Sequence, residues 1–272
     1  MIQNLHSHTT FCDGKNTPEE MAKAAIKLGM DALGFSGHGP NRAPDDAAMA
    51  QETVPAYREA VLRVREKYAG QLNIFLGIER DCFWAPDGGD WDYVIGSVHS
   101  VEKDGAYLGV DHSEKVFLES VEQHYGGDFY AFAEDYYQLV GEVPERTGCQ
   151  IVGHFDLITK FNEGDRLFDT AHPRYLSAAL EALDRLAGRG VICEVSTGAM
   201  SRGYRTAPYP APGLLRAARE RHIPICITSD CHSRANLLHA FPQAEELARA
   251  CGYGERMVLT RQGFTAVPLG EN

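Results

Sequence analysis

Short apolar runs alternate along this chain with longer segments in which apolar residues recur every three or four positions. The short runs predict β-strands, and the longer amphipathic segments predict helices. The predicted strands lie at residues 2–5, 31–36, 73–77, 92–96, 150–153, 191–195 and 223–228, with a last short strand at 258–259. Because strands and helices alternate so regularly, the pattern is typical of a mostly parallel sheet covered by helices.

The first predicted helix has clear signals at both ends. Thr17 precedes Pro18 and two glutamates, which is the usual order of an N-cap, a first-turn proline and acidic residues near the positive helix end. Gly29 is expected to end this helix after Leu28. Further helices are predicted at 55–68, 173–187 and 213–221. The segment 100–148 is predicted to be mainly helical, because aromatic residues recur in it at helical spacing.

The composition restricts the class of protein. With 272 residues, 44% of them hydrophobic and 24% charged, the chain fits one globular domain, and we predict a single domain over residues 1–272. It contains no apolar run of about 18 residues and no basic-then-apolar leader, so we expect a cytoplasmic protein that does not span a membrane. The seven cysteines lack C-x-x-C spacing and fit reduced thiols.

The net charge of −12 bears on the partners of the protein. Proteins that bind the phosphate backbone of nucleic acids normally present a basic surface, so we expect no nucleic-acid partner. A small anionic substrate is still compatible with this charge, because bound divalent metals supply local positive charge that a residue count omits. The sequence leaves the oligomeric state open.

Residues of metal-binding type follow six of the predicted strands directly. They are His6 and His8, His38, Glu79, His99, His154, and Asp230 with His232. A single histidine at a strand end can be purely structural, but in a parallel barrel these ends meet at one mouth, so the whole set predicts a metal centre there. His6 and His8 face the same side of their strand, and Asp13 adds a carboxylate from the next loop. Such mixed nitrogen and oxygen ligands suit zinc, manganese or iron.

Five other histidines lie in predicted helices or polar loops. These are His112, His124, His172, His222 and His239, and we expect them mostly at the surface.

An ordered set of short segments resembles the PHP superfamily (polymerase and histidinol phosphatase), and within it the monofunctional histidinol-phosphate phosphatases. The matching segments are 5–9 with 12–14, 34–38, 77–79, 95–99, 153–156, 194–198, 209–210 and 229–232. Together they extend over essentially the whole chain. The resemblance implies an α/β fold, a distorted seven-stranded (β/α)7 barrel, with three divalent metal ions at the C-terminal ends of its strands.

The resemblance also implies how the metal ligands are shared. One metal would take His6, His8, Glu79 and Asp230. Glu79 would bridge to a second metal held by His99 and His154, and the third would take Asp13, His38 and His232. Gly37 stands where the family often has aspartate, and we expect this difference to change the surroundings of His38 without removing it as a ligand.

The activity implied by the resemblance is hydrolysis of L-histidinol phosphate to L-histidinol and phosphate, a step of histidine biosynthesis. A hydroxide held between the metals would attack phosphorus directly, with Asp13, Glu79 and Asp230 as the expected catalytic carboxylates. The leaving oxygen would be stabilised by the third metal or protonated by water on it, with Asp13 a weaker candidate donor.

Several side chains are candidates for binding the substrate away from the metals. Arg202 is the first candidate for the phosphate, because a guanidinium can hold it by two hydrogen bonds. Arg205, Lys160 and Arg42 follow, and each of the four could instead be a surface cation. For the amine-bearing end of the substrate the candidates are Asp81, Phe83, Trp84 and Asp156.

Three other functions are weighed against this one. A PHP-type phosphoesterase could act on another small phosphomonoester or a nucleotide. A dinuclear amidohydrolase also begins with His-x-His, but its metals are typically bridged from the fourth strand, where this chain offers His99. A non-catalytic metal-binding protein is disfavoured, because ligands at an open barrel mouth leave positions for water and substrate.

Overall fold

The computed structural model describes residues 1–270. The strands are β1 (Gln3–Asn4), β2 (Ala32–Phe35), β3 (Asn73–Asp81), β4 (Tyr93–Ser97), β5 (Ser100–Lys103), β6 (Ala106–Gly109), β7 (Ile151–Val152), β8 (Ile192–Ser196), β9 (Ile225–Thr228), β10 (Glu255–Thr260) and β11 (Gly263–Pro268). The α-helices are α1 (Pro18–Lys27), α2 (Val54–Lys67), α3 (Glu114–Tyr125), α4 (Phe129–Thr147), α5 (Pro173–Leu186), α6 (Gly198–Ser201), α7 (Pro212–Glu220) and α8 (Phe241–Ala250). None of the helices within residues 1–270 is both long and apolar enough to cross a membrane.

Seven parallel strands form the central sheet, in the order β1-β2-β3-β4-β7-β8-β9. The two edge strands meet just beyond their C-terminal ends, where Ser7 and Cys231 form a parallel bridge. The backbone N–H of His8 donates to the carbonyl of Cys231 at 2.9 Å, and the N–H of Cys231 donates to the carbonyl of His6 at 3.2 Å. These contacts close the sheet at its mouth, so the prediction of a seven-stranded barrel is confirmed.

A tyrosine fills part of the barrel interior, and two glycines make room for it. A β-carbon at Gly34 or Gly77 would lie only 2.3 Å from Tyr93. The buried Tyr93 hydroxyl donates to the carbonyl of Leu5 on the far side of these strands. Side chains of this kind make the interior a packed core rather than a pore, as in other parallel barrels. The larger apolar core lies between the strands and the covering helices.

The predicted start of α1 is confirmed. The N–H of Glu20 donates to Thr17 Oγ1 at 3.3 Å, and the N–H of Thr17 donates back to Glu20 Oε2 at 2.9 Å. This reciprocal pair is a capping box.

The prediction of mainly helix for residues 100–148 is wrong at its beginning. The first ten residues form the antiparallel hairpin of β5 and β6, and only then do α3 and α4 follow. The turn between the two strands is Asp104-Gly105, and both residues have positive φ, at 51° and 78°. An Asp-Gly pair is a strong hairpin signal in sequence. The hairpin extends from the mouth of the barrel, next to His99.

The last predicted strand is one half of a second hairpin. β10 pairs with β11 in antiparallel register, and the side-chain amide of Gln3 holds both backbone groups of Leu259. This hairpin lies against the N-terminal end of the barrel, away from the predicted metal ligands.

Candidate metal centre

The nine predicted metal ligands come together at the mouth of the barrel. His6 and His8 follow β1, His38 follows β2, His99 follows β4, His154 follows β7, and Asp230 with His232 follows β9. Glu79 differs from the prediction in one respect, because β3 continues to Asp81 and Glu79 is an inner residue of that strand. Its backbone pairs with that of His38. Every strand of the seven-stranded sheet except β8 therefore places a predicted ligand in the mouth.

The first ligand group is formed by two histidines and two carboxylates. His6 Nε2 lies 3.0 Å from Glu79 Oε2 and 3.6 Å from Asp230 Oδ1. His8 Nε2 lies 3.6 Å and 3.1 Å from the same two oxygens. Four potential donor atoms therefore surround one point.

The other oxygen of Glu79 faces a second group. Glu79 Oε1 lies 3.1 Å from His154 Nε2 and 3.4 Å from His99 Nε2. One carboxylate thus offers a separate oxygen to each of two neighbouring histidine pairs. This is the geometry required of a bridging ligand.

The third group lies around Asp13, which comes from the loop after β1. Asp13 Oδ2 is 2.9 Å from His232 Nε2, and Asp13 Oδ1 is 3.9 Å from His38 Nε2. The ring of His8 stacks on that of His232 with 4.1 Å between centroids, and His38 Nδ1 is 3.1 Å from Glu79 Oε2. His8 and His38 therefore lie between the third group and the first.

Gly37, which directly precedes His38, lies against Cys12. A β-carbon at Gly37 would lie 3.1 Å from Cys12 Sγ, so the thiol fills the space beside the glycine. The same sulfur lies 3.6 Å from His8 Nδ1. His38 itself contributes to two of the clustered ligand groups.

Charged neighbours control the protonation of these groups. Burial alone would raise the pKa of Glu79, but the charges of His6, His38 and His99 and a hydrogen bond with His154 hold it well below its usual value. The carboxylate is thus ionised, as a metal ligand must be.

The pKa values of His8 and His99 are shifted in opposite directions. Burial, together with the charges of His232 and His38, lowers the pKa of His8 to about 3. Burial also opposes charging of His99, but Glu79, Asp81 and Asp111 outweigh it and raise the pKa of His99 to about 9. His8 is therefore a neutral imidazole at neutral pH, whereas His99 must lose a proton before its Nε2 can bind a cation.

The residues present fit a divalent metal. His8 Nε2 is buried and forms no hydrogen bond within the described residues, although it points at two carboxylate oxygens. An orphan nitrogen of this kind is costly unless it serves as a ligand. The donor atoms are imidazole nitrogens and carboxylate oxygens, and within each clustered group they lie within 4.8 Å of one another. These residues could therefore hold divalent metal ions.

Two further acids orient the ligands. Glu194, on β8, accepts a hydrogen bond from His6 Nδ1 at 2.6 Å and from the backbone N–H of His154 at 2.7 Å. Asp81 accepts from the backbone N–H of His99 at 2.8 Å. Glu194 is not among the site residues predicted from the sequence. Its signal in the sequence is a glutamate inside an apolar strand, where a buried charge needs a partner.

A cavity of about 500 Å³ opens over the ligands. Arg202 lies in its wall and donates to Asp230 Oδ2 at 2.8 Å, and Lys160 lies there too, bonded to Asp111. Arg205 is outside the wall, where it bonds to the carbonyl of Thr159, and Arg42 is an exposed residue outside it. The structure thus brings two of the four predicted cations to the cavity.

None of the four residues suggested for the amine-bearing end lines this cavity. Asp81 is engaged with the backbone of His99 and Phe83, Asp156 accepts from the N–H of Ala211, and the indole of Trp84 donates to the carbonyl of Arg146. The acidic and aromatic lining comes instead from Asp45, Asp46, Tyr107, Asp111 and Tyr204. His112, expected at the surface, lines the cavity as well.

Comparison with known proteins shows the family of this chain. The model of the PHP domain matches residues 4–198. The "Probable histidinol-phosphatase" of Deinococcus radiodurans is 36% identical over 259 residues, covering 91% of this chain and 92% of the relative. The histidinol-phosphatase of Bacillus subtilis is 28% identical, with 87% of this chain and 95% of the relative covered.

A solved structure shows the same fold. The histidinol phosphate phosphatase of Lactococcus lactis, complexed with zinc, L-histidinol and phosphate, superposes with a TM-score of 0.73 at 18% identity, covering 97% of this chain and 98% of that one.

The chain belongs to the PHP domain family, as its resemblance in sequence predicts. Asp230 and His232 lie beyond the matched segment, yet they cluster with His6, His8, Asp13 and His38 from within it.

Proposed function

We propose that this protein is a metal-dependent phosphatase that hydrolyses L-histidinol phosphate to L-histidinol and phosphate. The observation that carries the proposal is the pair of Glu79 oxygens, each facing a different histidine pair at the floor of an open cavity. The name of the Deinococcus radiodurans relative, which matches over most of both chains, supports the choice of substrate. The ligands of the Lactococcus lactis structure agree with it.

Three divalent ions would be held by the three ligand groups, with zinc, manganese and iron all suited to them. His6, His8 and Asp230 would hold the first, His99 and His154 the second, and Asp13, His38 and His232 the third, with Glu79 shared between the first two. When bound, such ions supply positive charge to the phosphoryl oxygens and lower the pKa of water.

Arg202 would bind the phosphate from the wall of the cavity. Its guanidinium already donates to the carboxylate and the carbonyl of Asp230, which fixes it beside the ligand groups. A guanidinium in this position can hold two phosphate oxygens at once. Lys160 is the second choice, since its ammonium is engaged by Asp111.

Asp13 is better suited to hold a cation than to donate a proton. Burial would raise the pKa of Asp13, but the hydrogen bond to His232 and the charges of His8 and His38 lower it below the usual range. The carboxylate is therefore ionised at neutral pH. Protonation of the leaving oxygen then comes from water rather than from this side chain.

We also infer that residues 1–272 act as one domain, because the metal centre joins ligands from the first and the last barrel strands. All seven cysteines are free thiols in the described residues, which suits a cytoplasmic enzyme. The partner we propose is this small phosphomonoester and no nucleic acid, given the net charge of −12.

The test is phosphate release from a panel of phosphomonoesters, with chelator-treated protein resupplied with manganese, zinc or iron. We expect a strong preference for L-histidinol phosphate, complete loss in His6→Ala, and wild-type rates in His124→Ala, a histidine of α3 outside the cavity. Preference for another ester would exclude this substrate but keep the phosphatase. No release with any metal would refute the phosphatase itself.

A further inference from the structure

Asp111 places a carboxylate in the cavity wall beside the second ligand group. It directly follows Val110, whose N–H donates to the carbonyl of the ligand His99 at 2.8 Å. The charges of Lys160, His99 and His154 overcome the effect of burial and lower the pKa of Asp111 to about 2. This carboxylate is therefore ionised at neutral pH, and it forms an ion pair with Lys160 Nζ at 3.2 Å.

One oxygen of Asp111 is available to a ligand. Lys160 Nζ bonds to the Asp111 carbonyl at 2.7 Å and to Oδ2 at 3.2 Å. Oδ1 accepts no hydrogen bond from any residue within 1–270, and the side chain is 26% exposed toward the cavity. A carboxylate can accept hydrogen bonds at both oxygens, so Asp111 can bind a second cation without releasing Lys160.

The other two carboxylates of the wall, apart from the metal ligands, are less well placed to bind a cation inside the cavity. Asp45 accepts a hydrogen bond from the N–H of Ala47 at 2.9 Å and so stabilises its own loop. Asp46 is exposed at the rim. Apart from the metal ligands, the wall carries three carboxylates against the two cations Lys160 and Arg202. The cavity thus has an excess of negative charge where an organic group of the substrate must lie.

We propose that Asp111 is a specificity-determining residue that binds the ammonium group of the substrate through Oδ1, an inference that rests on the proposed function. In L-histidinol phosphate the ammonium is only two carbon atoms from the ester oxygen. When the phosphate lies over the ligand groups, the ammonium must therefore lie close to them, where Asp111 is, and not at the rim, where Asp46 is. A phosphomonoester without this ammonium loses that ion pair.

The test compares two substrates on the full-length, metal-loaded enzyme. They are L-histidinol phosphate and 3-(imidazol-4-yl)propyl phosphate, which lacks only the amine and the stereocentre. Asp111→Asn is expected to lower kcat/KM for the first by about 10- to 100-fold, the usual effect of losing a charged hydrogen bond. Activity on the second is expected to stay nearly unchanged, and Asp46→Asn is the matched control that should retain the wild-type preference.

Each other outcome overturns the inference. Equal losses of kcat/KM on both substrates in Asp111→Asn would mean that Asp111 acts through Lys160 or the metal ligands. Equal kcat/KM values of the wild-type enzyme for the two substrates would mean that no carboxylate binds the ammonium group. Loss of the preference for L-histidinol phosphate in Asp46→Asn alone would assign binding of the ammonium group to Asp46. A wild-type enzyme that hydrolyses neither compound would refute the proposed function as well. Asp111→Ser, with thermal unfolding of both variants, separates a folding defect from a change in specificity.

Discussion

His6 Nδ1 and Glu194 Oε1 lie 2.6 Å apart, and both side chains are completely buried in the barrel. Thr228 donates to the same oxygen at 2.7 Å, so the carboxylate is held from two sides. The hydrogen bond keeps the proton of a neutral His6 on Nδ1 and leaves the Nε2 lone pair toward Glu79 and Asp230. A carboxylate behind a histidine ligand fixes its tautomer and raises its basicity.

We therefore predict that Glu194→Gln weakens metal binding by about 10- to 100-fold, the usual effect of losing such an outer partner. The amide can turn its NH₂ group toward His6 and reverse the tautomer that the site needs. Metal content after dialysis against a graded chelator measures the effect directly. Glu145→Gln is the matched control, because Glu145 is a surface residue that is 60% exposed. Equal metal retention in the two variants would contradict the role given to Glu194.

The stability of the metal-free protein should depend on pH in a defined window. The pKa of His99 is about 9 in the folded chain, against 6.5 ordinarily, and the pKa values of His6 and His38 are also raised. A raised pKa means that the bound proton stabilises the folded state fully below about pH 6.5 and that this contribution is lost as the pH rises through about 9. For His99 alone the loss is on the order of 3 kcal/mol.

We predict that the Tm of chelator-treated protein falls between about pH 6.5 and pH 9, and that the metal-loaded protein does not show this fall. Bound metal requires the imidazoles to be deprotonated already, so no proton remains to be lost. Thermal unfolding of both forms at matched ionic strength measures the difference. The cysteines and surface groups are common to the two forms, so their titration contributes equally to both curves. Parallel curves would show that these histidines do not exchange protons for metal.

The fold could be predicted from the sequence where local and long-range signals agree. Thr17 and Glu20 form the expected capping box, and the apolar runs that become barrel strands are buried on both sides, as parallel strands must be. The hairpin of β5 and β6 departs from the prediction, because the aromatic residues at helical spacing belong to α3 and α4, which follow it. The local signal for the hairpin is the Asp104-Gly105 turn.

The clustering of the candidate metal ligands could be predicted, because the C-terminal ends of the strands of a parallel barrel meet at one mouth. The wall of the cavity could not, because it is made by loops and by the hairpin, whose course depends on tertiary packing. Asp111 is two residues beyond β6, and its proximity to His99 results from a backbone hydrogen bond that no spacing rule gives. Asp81 and Asp156 lie at or shortly after the C-terminal ends of strands that meet at the mouth. Backbone N–H groups bind their carboxylates, so neither side chain lines the cavity.

Gly198 should tolerate no side chain. A β-carbon there would lie 2.5 Å from Asp230 Oδ2 and 2.7 Å from its Cβ. Gly198→Ala must displace this carboxylate, so we predict that it lowers both metal content and phosphatase activity while the barrel stays folded. Gly213→Ala is the matched control, since a β-carbon at that position meets no atom within 4 Å. Activity of Gly198→Ala equal to that of Gly213→Ala would show that Asp230 can move without consequence.

Arg202 links the cavity wall to a metal ligand, since its guanidinium donates to Asp230 Oδ2 at 2.8 Å and to the Asp230 carbonyl at 3.0 Å. We predict that Arg202→Ala lowers kcat/KM by about 10- to 100-fold, because charged hydrogen bonds to phosphate are lost. Arg202→Lys should restore only part of the activity, because an ammonium cannot form the planar double contact.

Substitution of other arginines tests whether the loss of kcat/KM is specific to the arginine in the cavity wall. Arg205 and Arg42 lie outside the wall, so Arg205→Ala and Arg42→Ala should cost much less activity than Arg202→Ala. Arg63→Ala, in α2 at a side chain that is 70% exposed, should leave the activity unchanged. Steady-state kinetics on one substrate and one metal preparation measures all four. A loss in Arg205→Ala as large as in Arg202→Ala would assign phosphate binding to Arg205, and the loop 201–205 would then have to rearrange around the substrate.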